Sequence, residues 1–407
     1  MPERLVIVGA GMATAYLLQA LAANAAGLDI TVIGEEEQAC YNRVLLSGLL
    51  AGEHREQDLH MLQQDPPAAP ATFLTGTRVC SIDRQSRTLA TACGRRLAYD
   101  QLVIATGASV DRPQLAGTRL PGVRQLRDID DARQLRAIAG NGGNAVIVGG
   151  GLLGLEAAYG LRLLGFATTV VHRRPYLMNR QLDPEGARLL QARLEAMGIE
   201  FQLGTSLASL QARQQRLAGV QLDSGASIPC ELLLFATGIT PNAGLAAQAG
   251  LAVKRGVMVD EQMHTSDPRV SALGECSQFG EHCFGLVAPI REQARVLARR
   301  LSAQPGPAFR LVDSSTQLKI SGIDIYSAGD FDGSGEQLVL RDAAAGIYRR
   351  LVLRERRLVG AVLVGDKRGG TWYSELIRNG TDISELRPGL MFGRDISNSL
   401  QQAARAA

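Results

Sequence analysis

The stretch AVIVGGGLLGLE, residues 145–156, decides the fold of this chain. An apolar run ends at Gly149, and Gly151 and Gly154 follow before the acidic Glu156. The first glycine makes a tight strand-to-helix turn, the second lets backbone approach a pyrophosphate, and the third allows close helix–strand packing. The pattern predicts a Rossmann-like unit whose helix N-terminus presents N–H groups to a dinucleotide.

A second copy of this pattern, LVIVGAGMAT, occupies residues 5–14. Gly9 and Gly11 fill the first two turn positions, and Thr14 stands at the third, where a glycine or alanine is usual. One such match is weak, but two in the right context imply two dinucleotides. A protein that holds two dinucleotides most simply passes a hydride between them. The pair therefore predicts a flavoprotein that is reduced by a nicotinamide.

The rest of the chain repeats this organisation. The triplet Ala-Thr-Gly ends an apolar strand at 105–107 and again at 236–238, which indicates an internal duplication. From about residue 309, apolar and polar residues alternate as in antiparallel strands. The expected strands are Arg4–Val8, Asp29–Ile33, Gln101–Ser109 (buried and ending in a Thr-Gly turn) and Thr168–Val171. The expected helices are Met12–Ala25, Leu152–Leu164 and one near Trp372–Arg378.

The expected fold class is α/β. Two Rossmann-like, three-layer dinucleotide-binding domains are followed by a smaller C-terminal α+β domain. The expected boundaries are 1–112 with 243–308 for a discontinuous FAD-binding domain, 113–242 for an NAD(P)H-binding domain, and 309–407 for the C-terminal interface domain.

Composition excludes several other functions. The chain has 407 residues, 46% of them hydrophobic, and a net charge of only +3, which argues against nucleic acid or a membrane surface as the main partner. A signal peptide and an apolar run of membrane-spanning length are both lacking in the sequence, so a cytoplasmic protein is expected. Six cysteines without CxxC or metal-ligand spacing predict buried thiols and no metal site. Five arginines between 349 and 357 predict a solvated strand or turn.

Together these elements resemble the FAD-dependent pyridine nucleotide-disulfide oxidoreductase family, in glutathione-reductase-like order, over about residues 1–305. YNRVLLSGLLAGE (41–53), LMNRQLD (177–183), GECS (274–277) and GLVAPIREQA (285–294) most resemble the flavin portion of bacterial NAD(P)H nitrite reductases. They also resemble the electron-transfer subunit of assimilatory nitrate reductases. STQLKISGIDIYSAGDF (315–331) and GDKRGGTWYSELI (365–377) extend that likeness into the third domain.

The resemblance implies an oxidoreductase that takes a hydride from NAD(P)H onto FAD. Electrons then pass singly to an iron–sulfur or rubredoxin-like partner, in nitrate or nitrite assimilation. Large nitrite reductase chains continue into iron–sulfur and sirohaem modules, and this sequence has neither, so a separate electron-transfer subunit is expected. Two other functions stay as alternatives: a rubredoxin or ferredoxin reductase of another pathway, and a non-catalytic flavin-binding partner protein. A homodimer is also open.

The same resemblance assigns site residues. Arg43 would lie beside the isoalloxazine and pair with Glu156 on the nicotinamide side, and these two are the expected catalytic residues. Glu35 would bind the adenosine ribose, Glu275 the ribityl–phosphate region, and the helix opening at Ala288–Pro289 would face the flavin. The residues expected to bind the two cofactors are Gly9, Gly11, Thr14, Glu35, Arg43, Ala105, Thr106, Gly107, Gly149, Gly151, Gly154, Glu156, His172, Arg173, Gly238, Gly274, Glu275 and Ala288.

Two questions stay open at the level of sequence. His172, Arg173 and Arg174 stand where an NADH site usually has an acidic residue, and they suit the 2′-phosphate of NADPH. Similar nitrite-reductase-like chains carry a histidine there and use NADH, so both donors remain candidates. Cys40 lies close to the flavin-proximal segment, which leaves a self-contained thiol or peroxide reductase as an alternative.

Overall fold

The computed structural model of the protein describes residues 2–22, 27–62, 68–140, 142–311, 316–318, 320 and 322–406. The helices are α1 (Met12–Leu21), α2 (Leu46–Ala51), α3 (Ile129–Ala137), α4 (Leu152–Leu163), α5 (Pro184–Ala196), α6 (Gly244–Gln248), α7 (Val287–Leu301), α8 (Gly370–Asn379) and α9 (Arg394–Ala406). The expected end of the first helix, at 23–25, lies outside the described residues, as do 315, 319 and 321 of one quoted motif.

The strands in the first third of the chain are β1 (Glu3–Val8), β2 (Leu28–Ile33), β3 (Thr72–Leu74), β4 (Val79–Asp83), β5 (Thr88–Thr91), β6 (Arg96–Ala98), β7 (Gln101–Ile104), β8 (Ala108–Val110) and β9 (Val123–Arg124). Those of the middle third are β10 (Asn144–Val148), β11 (Ala167–His172), β12 (Ile199–Leu203), β13 (Leu207–Arg213), β14 (Arg216–Leu222), β15 (Ser227–Pro229), β16 (Leu232–Phe235), β17 (Ile239–Pro241), β18 (Val257–Val259) and β19 (Val270–Ala272).

The remaining strands are β20 (Ser277–Phe279), β21 (His282–Cys283), β22 (Thr316–Gln317), β23 (Ile325–Gly329), β24 (Glu336–Asp342), β25 (Ile347–Arg354) and β26 (Arg357–Val364). Short 3-10 turns occur at Arg43–Leu45, Glu56–Leu59, Gly274–Cys276 and Arg387–Phe392.

The chain forms two compact units. The first comprises Met1–Leu46, His54–Asp111 and Gly238–Leu311, and the second comprises Ser47–Glu53, Arg112–Thr237 and Val312–Ala407. Two of the breaks between the units fall at 111/112 and 237/238. The short segment Ser47–Glu53, which holds most of α2, groups with the second unit.

The first unit is built on a parallel sheet in the order β19–β7–β1–β2–β3. Its central strand β1 is fully buried from Leu5 to Val8, because a parallel sheet covered on both faces requires continuous apolar runs. Helices α1 and α7 pack together beside it. The same unit also holds three smaller sheets, the antiparallel β4–β5–β6 and β8–β17 and the mixed β18–β20–β21.

The second unit repeats the plan with a parallel sheet in the order β12–β11–β10–β16–β9. Its C-terminal part is an antiparallel sheet in the order β22–β23–β26–β25–β24, against which α8 packs. Helix α2 lies against α4, where Gly160 leaves room: a Cβ there would meet the Leu50 side chain at 3.0 Å. The expected α/β class, with two Rossmann-like units and a smaller α+β part, is confirmed.

The structure corrects two expectations about polar surface. Arg349 and Arg350 are not solvated: their side chains are 8% and 13% exposed and form ion pairs with Asp366 and Asp183. The cysteines are not all buried either, because Cys80 in β4 and Cys93 in the turn after β5 are exposed. Among the described residues, no helix is both long and apolar enough to cross a membrane.

Candidate active site

The first glycine turn links β1 to α1. Gly9 has a φ of +114°, and a Cβ there would lie 2.1 Å from the carbonyl oxygen of Ala105, so only glycine fits. Gly11 caps α1 without a side-chain hydrogen bond and has open space within 4 Å of its missing Cβ. Buried Thr14 donates its hydroxyl to the Gly9 carbonyl oxygen at 2.5 Å, which explains how a hydroxyl side chain is accommodated at the third position.

The second turn, between β10 and α4, has the same geometry. Gly149 has a φ of +125° and a missing Cβ 2.3 Å from the Ala236 oxygen. A Cβ at Gly154 would lie 1.9 Å from the Gly149 oxygen. Gly151, like Gly11, caps its helix without a side-chain bond and faces open space. Each turn therefore offers an uncapped helix N-terminus to an anion, which fits a dinucleotide pyrophosphate.

The two Ala-Thr-Gly ends support these turns. Ala105 and Ala236 are the residues against which Gly9 and Gly149 pack, which is the physical reason for the repeat. In the first unit, Thr106 donates its hydroxyl to the Asn242 carbonyl at 2.7 Å, and the Asn242 amide donates back to the Thr106 carbonyl at 3.0 Å. Asn242 was not singled out from sequence, because this bond spans 136 residues.

Beyond β2, Glu35 is exposed and lies 3.9 Å from Arg78. Its neighbour Glu36 accepts hydrogen bonds from the Tyr41 hydroxyl and from the Arg43 guanidinium, which also lies 4.7 Å from the Tyr41 ring centre. Glu36 therefore orients Arg43. The contact of Glu35 with a ribose hydroxyl stays a prediction.

The GECS segment is held by a buried amide. Gln293 of α7 accepts from the Gly274 N–H at 2.8 Å, and Ser277 donates to the Gly274 carbonyl at 2.8 Å. Gly274 needs its φ of +83°, and Glu275 beside it is partly buried. Helix α7 begins at Val287, and exposed Ala288 lies in its first turn, which carries no side-chain cap.

Glu156 lies in the second unit and is 7% exposed. Its carboxylate accepts a hydrogen bond from Ser47 at 2.8 Å. Ser47 was missed from sequence, because a lone serine in an apolar helix gives no signal. The expected Arg43–Glu156 pair joins residues of different units and stays a prediction.

His172, at the end of β11, supports the second glycine turn directly. The Gly150 N–H donates to Nδ1 at 3.1 Å, and Nε2 lies 3.3 Å from Asn179 Oδ1. Burial lowers the pKa of His172, with smaller effects from Arg173 and Arg174, so the ring is neutral at pH 7 and Nε2 donates to the amide oxygen. Arg173 and Arg174 are exposed, and their guanidinium groups have no partner among the described residues.

The cysteines and the possible metal-binding side chains give little support to thiol or metal chemistry. Cys40 is fully buried, and burial raises the pKa of its thiol to about 12. All six cysteines lie in described parts of the chain, and all are free. Within the described ranges, no group of three or more His, Cys, Asp or Glu side chains could hold a metal ion.

The chain belongs to the pyridine nucleotide-disulphide oxidoreductase family, whose pattern matches residues 3–296. It is therefore an oxidoreductase, and this membership supports FAD and NAD(P)H as its cofactors. Residues 315–381 match the C-terminal domain of rubredoxin NAD+ reductase.

Individual relatives point the same way. The chain is 38% identical to a nitrite reductase [NAD(P)H] of Bacillus subtilis over 94% of its own length and 48% of that protein. It is 35% identical to the assimilatory nitrate reductase electron transfer subunit of the same organism, over 98% of this chain and 51% of that one. This chain thus spans about half the length of these relatives. A chain of the covalent putidaredoxin reductase–putidaredoxin complex matches with a TM-score of 0.85 and 25% identity, covering 100% and 99% of the two chains.

Proposed function

We propose that this chain is an FAD-dependent NAD(P)H reductase that delivers electrons singly to an iron–sulfur or rubredoxin-like partner. The observation that carries the proposal is the duplicated glycine turn. In both copies the first glycine, Gly9 or Gly149, is required because a Cβ there would collide with neighbouring backbone. The second glycine, Gly11 or Gly151, leaves the helix N-terminus open to a ligand. Two such turns fit two dinucleotides.

The residues of the first unit would hold FAD. Gly11 and the start of α1 would bind the pyrophosphate, and Glu35 would accept from the ribose hydroxyls. Arg43, oriented by Glu36, and the segment at Gly274–Glu275 would contact the rest of the cofactor. The Ala105–Gly107 backbone and the first turn of α7, at Ala288, complete the proposed site.

In the second unit, Gly151 and the start of α4 would bind the nicotinamide nucleotide. Gly238, in the first unit, stays a predicted cofactor-binding residue. When bound, FAD accepts a hydride from the nicotinamide and passes electrons on one at a time. The protein's part is to fix the approach of the two rings, because hydride transfer needs no acid or base. Glu156, held by Ser47 in a buried position, would orient the nicotinamide. Pairing with Arg43 would balance its charge.

Arg173 and Arg174 favour a donor with a 2′-phosphate, because their exposed guanidinium groups suit bidentate phosphate contacts. The imidazole of His172 is engaged with Gly150 and Asn179, so the arginines are the better candidates for this contact. NADH and NADPH are therefore tested side by side.

The proposed partner and pathway follow the relatives. The names nitrite reductase and nitrate reductase electron transfer subunit support a role in nitrate or nitrite assimilation. The match to the rubredoxin NAD+ reductase C-terminal domain supports a small one-electron acceptor. A cytoplasmic location belongs to the same proposal. Burial of Cys40 disfavours the thiol-reductase alternative, because a nucleophilic thiol needs a low pKa and access.

Anaerobic stopped-flow mixing tests the proposal. The FAD-loaded protein is mixed with NADH or NADPH while flavin absorbance is followed, and an oxidised rubredoxin, an oxidised ferredoxin or a disulfide is then added. We expect loss of absorbance with at least one nucleotide and its recovery only with the iron–sulfur or rubredoxin acceptor. No loss with either nucleotide would reject hydride transfer and favour a flavin-binding partner protein. Recovery with the disulfide alone would favour the Cys40 alternative.

A further inference from the structure

The segment from Arg173 to Asp183 connects β11 to α5, and it is tied to the second glycine turn. The Met178 N–H donates to the Gly150 carbonyl at 2.8 Å. In the preceding peptide group, the Gly150 N–H donates to Nδ1 of His172, whose Nε2 lies 3.3 Å from Asn179 Oδ1. Gly150 is thus held through both its N–H and its carbonyl by this segment and the strand that precedes it.

Between this contact and its end, the segment forms a hydrogen-bonded turn. The carbonyl of Met178 accepts from the N–H groups of both Gln181 and Leu182, at 2.7 and 2.8 Å, which closes a tight turn. Leu177, Met178 and Leu182 are all buried, and Met178 has a φ of +48°. A short buried turn of this kind transmits a displacement of one end to the other, because its interior cannot deform freely.

At its far end the segment is anchored to the C-terminal sheet. Asp183 is 3% exposed, and its Oδ2 accepts from the Tyr348 hydroxyl at 2.7 Å and lies 3.3 Å from the Arg350 guanidinium. Burial raises the pKa of Tyr348, and the bond to Asp183 adds to the effect, so the hydroxyl stays a donor. Asp183 Oδ1 and Arg350 Nε have no hydrogen-bond partner among the described residues, so this carboxylate depends on Tyr348 and Arg350.

Helix α5 strengthens the same attachment. Glu185 in its first turn binds Arg341 of β24 through two hydrogen bonds, at 2.5 and 2.7 Å. Arg193 in its last turn donates to the Gly346 carbonyl at 2.7 Å. Both ends of the helix are therefore attached to the turn end of the β24–β25 hairpin.

We propose that Tyr348 and Arg350 of the C-terminal sheet are positioning residues for the nicotinamide nucleotide. They hold Asp183, the segment 173–183 holds Gly150, and Gly150 precedes the residue that opens the helix to the pyrophosphate. This inference rests on the proposed role of the second glycine turn. It gives the C-terminal sheet a part in nucleotide binding in addition to any contact with an electron acceptor.

The coupling has a definite physical cause. Removing the Tyr348 hydroxyl leaves a buried carboxylate with one donor fewer, and an under-solvated buried charge moves towards water. Movement of Asp183 displaces the turn that begins at Met178, and the Met178 N–H is bonded to the Gly150 carbonyl. The change therefore reaches the nucleotide site without altering any residue that touches the nucleotide.

The test compares two tyrosine-to-phenylalanine variants in the same sheet. Tyr348→Phe removes the bond to Asp183, whereas Tyr326→Phe removes the hydroxyl of a similarly buried tyrosine, which bonds at 2.6 Å to the partly buried Ser374 of α8. Equilibrium binding of NAD+ and NADP+ to the FAD-loaded proteins is measured by calorimetry, and KM and kcat for the reduced nucleotides are measured with ferricyanide as acceptor.

We expect Tyr348→Phe to weaken nucleotide binding and raise KM roughly three- to tenfold, with kcat and FAD content within about twofold of the wild type. Tyr326→Phe should bind as the wild type does. Equal binding by all three proteins, or equal weakening in both variants, would overturn the inference. Should Tyr348→Phe not fold, Arg350→Lys, which keeps the charge but changes its geometry, gives the same comparison.

The two proposals fail differently. A wild-type protein that binds neither NAD+ nor NADP+ would remove the proposed function and this inference with it. A wild-type protein that binds one of them, together with a Tyr348→Phe variant that binds it equally well, would remove only the coupling.

Discussion

Adding one methyl group should destabilise the protein at one glycine of the second turn and leave its stability nearly unchanged at another. Gly154→Ala places a Cβ 1.9 Å from the Gly149 carbonyl oxygen and 3.3 Å from the Ala236 Cβ. The Gly149 backbone cannot easily withdraw, because its N–H is bonded to the Val171 carbonyl at 2.9 Å. Gly151→Ala places its Cβ in open space, at a φ of −90° that any residue adopts.

The magnitudes follow from these contacts. Inside a helix, glycine to alanine ordinarily stabilises by about 1 kcal/mol. Overpacking against backbone costs about 1–3 kcal/mol, and a 1.9 Å contact belongs at the upper end. Gly154→Ala should therefore lower the free energy of unfolding by about 2 kcal/mol. Gly151→Ala should change it by no more than about 0.5 kcal/mol, because the weaker helix cap and the stiffer unfolded chain nearly cancel.

Urea denaturation followed by far-ultraviolet circular dichroism measures both variants against the wild type at equal FAD loading. A lower midpoint for Gly154→Ala and an unchanged one for Gly151→Ala are expected. Equal midpoints for the two variants would refute the close helix–strand contact at Gly154. They would also refute the explanation that the third position needs glycine because the helix packs closely against the strand.

Three further predictions concern single side chains. Glu156→Gln should slow flavin reduction about ten- to hundredfold in stopped flow without loss of FAD, since it alters only orientation and charge at the nicotinamide; a rate within twofold of the wild type would reject the role. In the native protein at pH 8, a maleimide should label the exposed Cys80 and Cys93 well before Cys40, whose buried thiol has a pKa of about 12, as peptide mass mapping can show; fast labelling of Cys40 would contradict its burial. Burial lowers the pKa of His172 in the folded state, so the contribution of this residue to stability is present above about pH 6.5 and is lost as pH falls towards the folded-state pKa. The free energy of unfolding of His172→Gln should therefore decrease less than that of the wild type between pH 7 and pH 5. An identical decrease would count against a neutral, buried ring.

The glycine turns could be predicted from sequence because their cause is local. Gly9 and Gly149 need positive φ, and each follows a buried apolar strand, so both leave a short and specific pattern. The parallel sheets follow from the same apolar runs. The third domain could be recognised as antiparallel from its alternation, although its arginines could not be assigned to buried or exposed sites.

The contacts missed from sequence join distant parts of the chain. Asp183 and Tyr348 are separated by 165 residues, and Ser47 and Glu156 by 109. An aspartate before a helix predicts a cap, yet here no side-chain cap bond forms and the carboxylate turns to the C-terminal sheet. Arg349 and Arg350 resemble solvated arginines in sequence, because nothing local reveals that Asp366 and Asp183 neutralise them.

The central claim, that the two glycine turns hold two different dinucleotides, is tested most directly by Gly11→Val and Gly151→Val. No neighbouring atom lies within 4 Å of a Cβ built at either position, so both variants should fold. Gly151→Val should stay yellow with bound FAD but lose no flavin absorbance when NADH or NADPH is added anaerobically, whereas Gly11→Val should be purified without FAD. A Gly151→Val protein that is reduced as fast as the wild type would contradict the account.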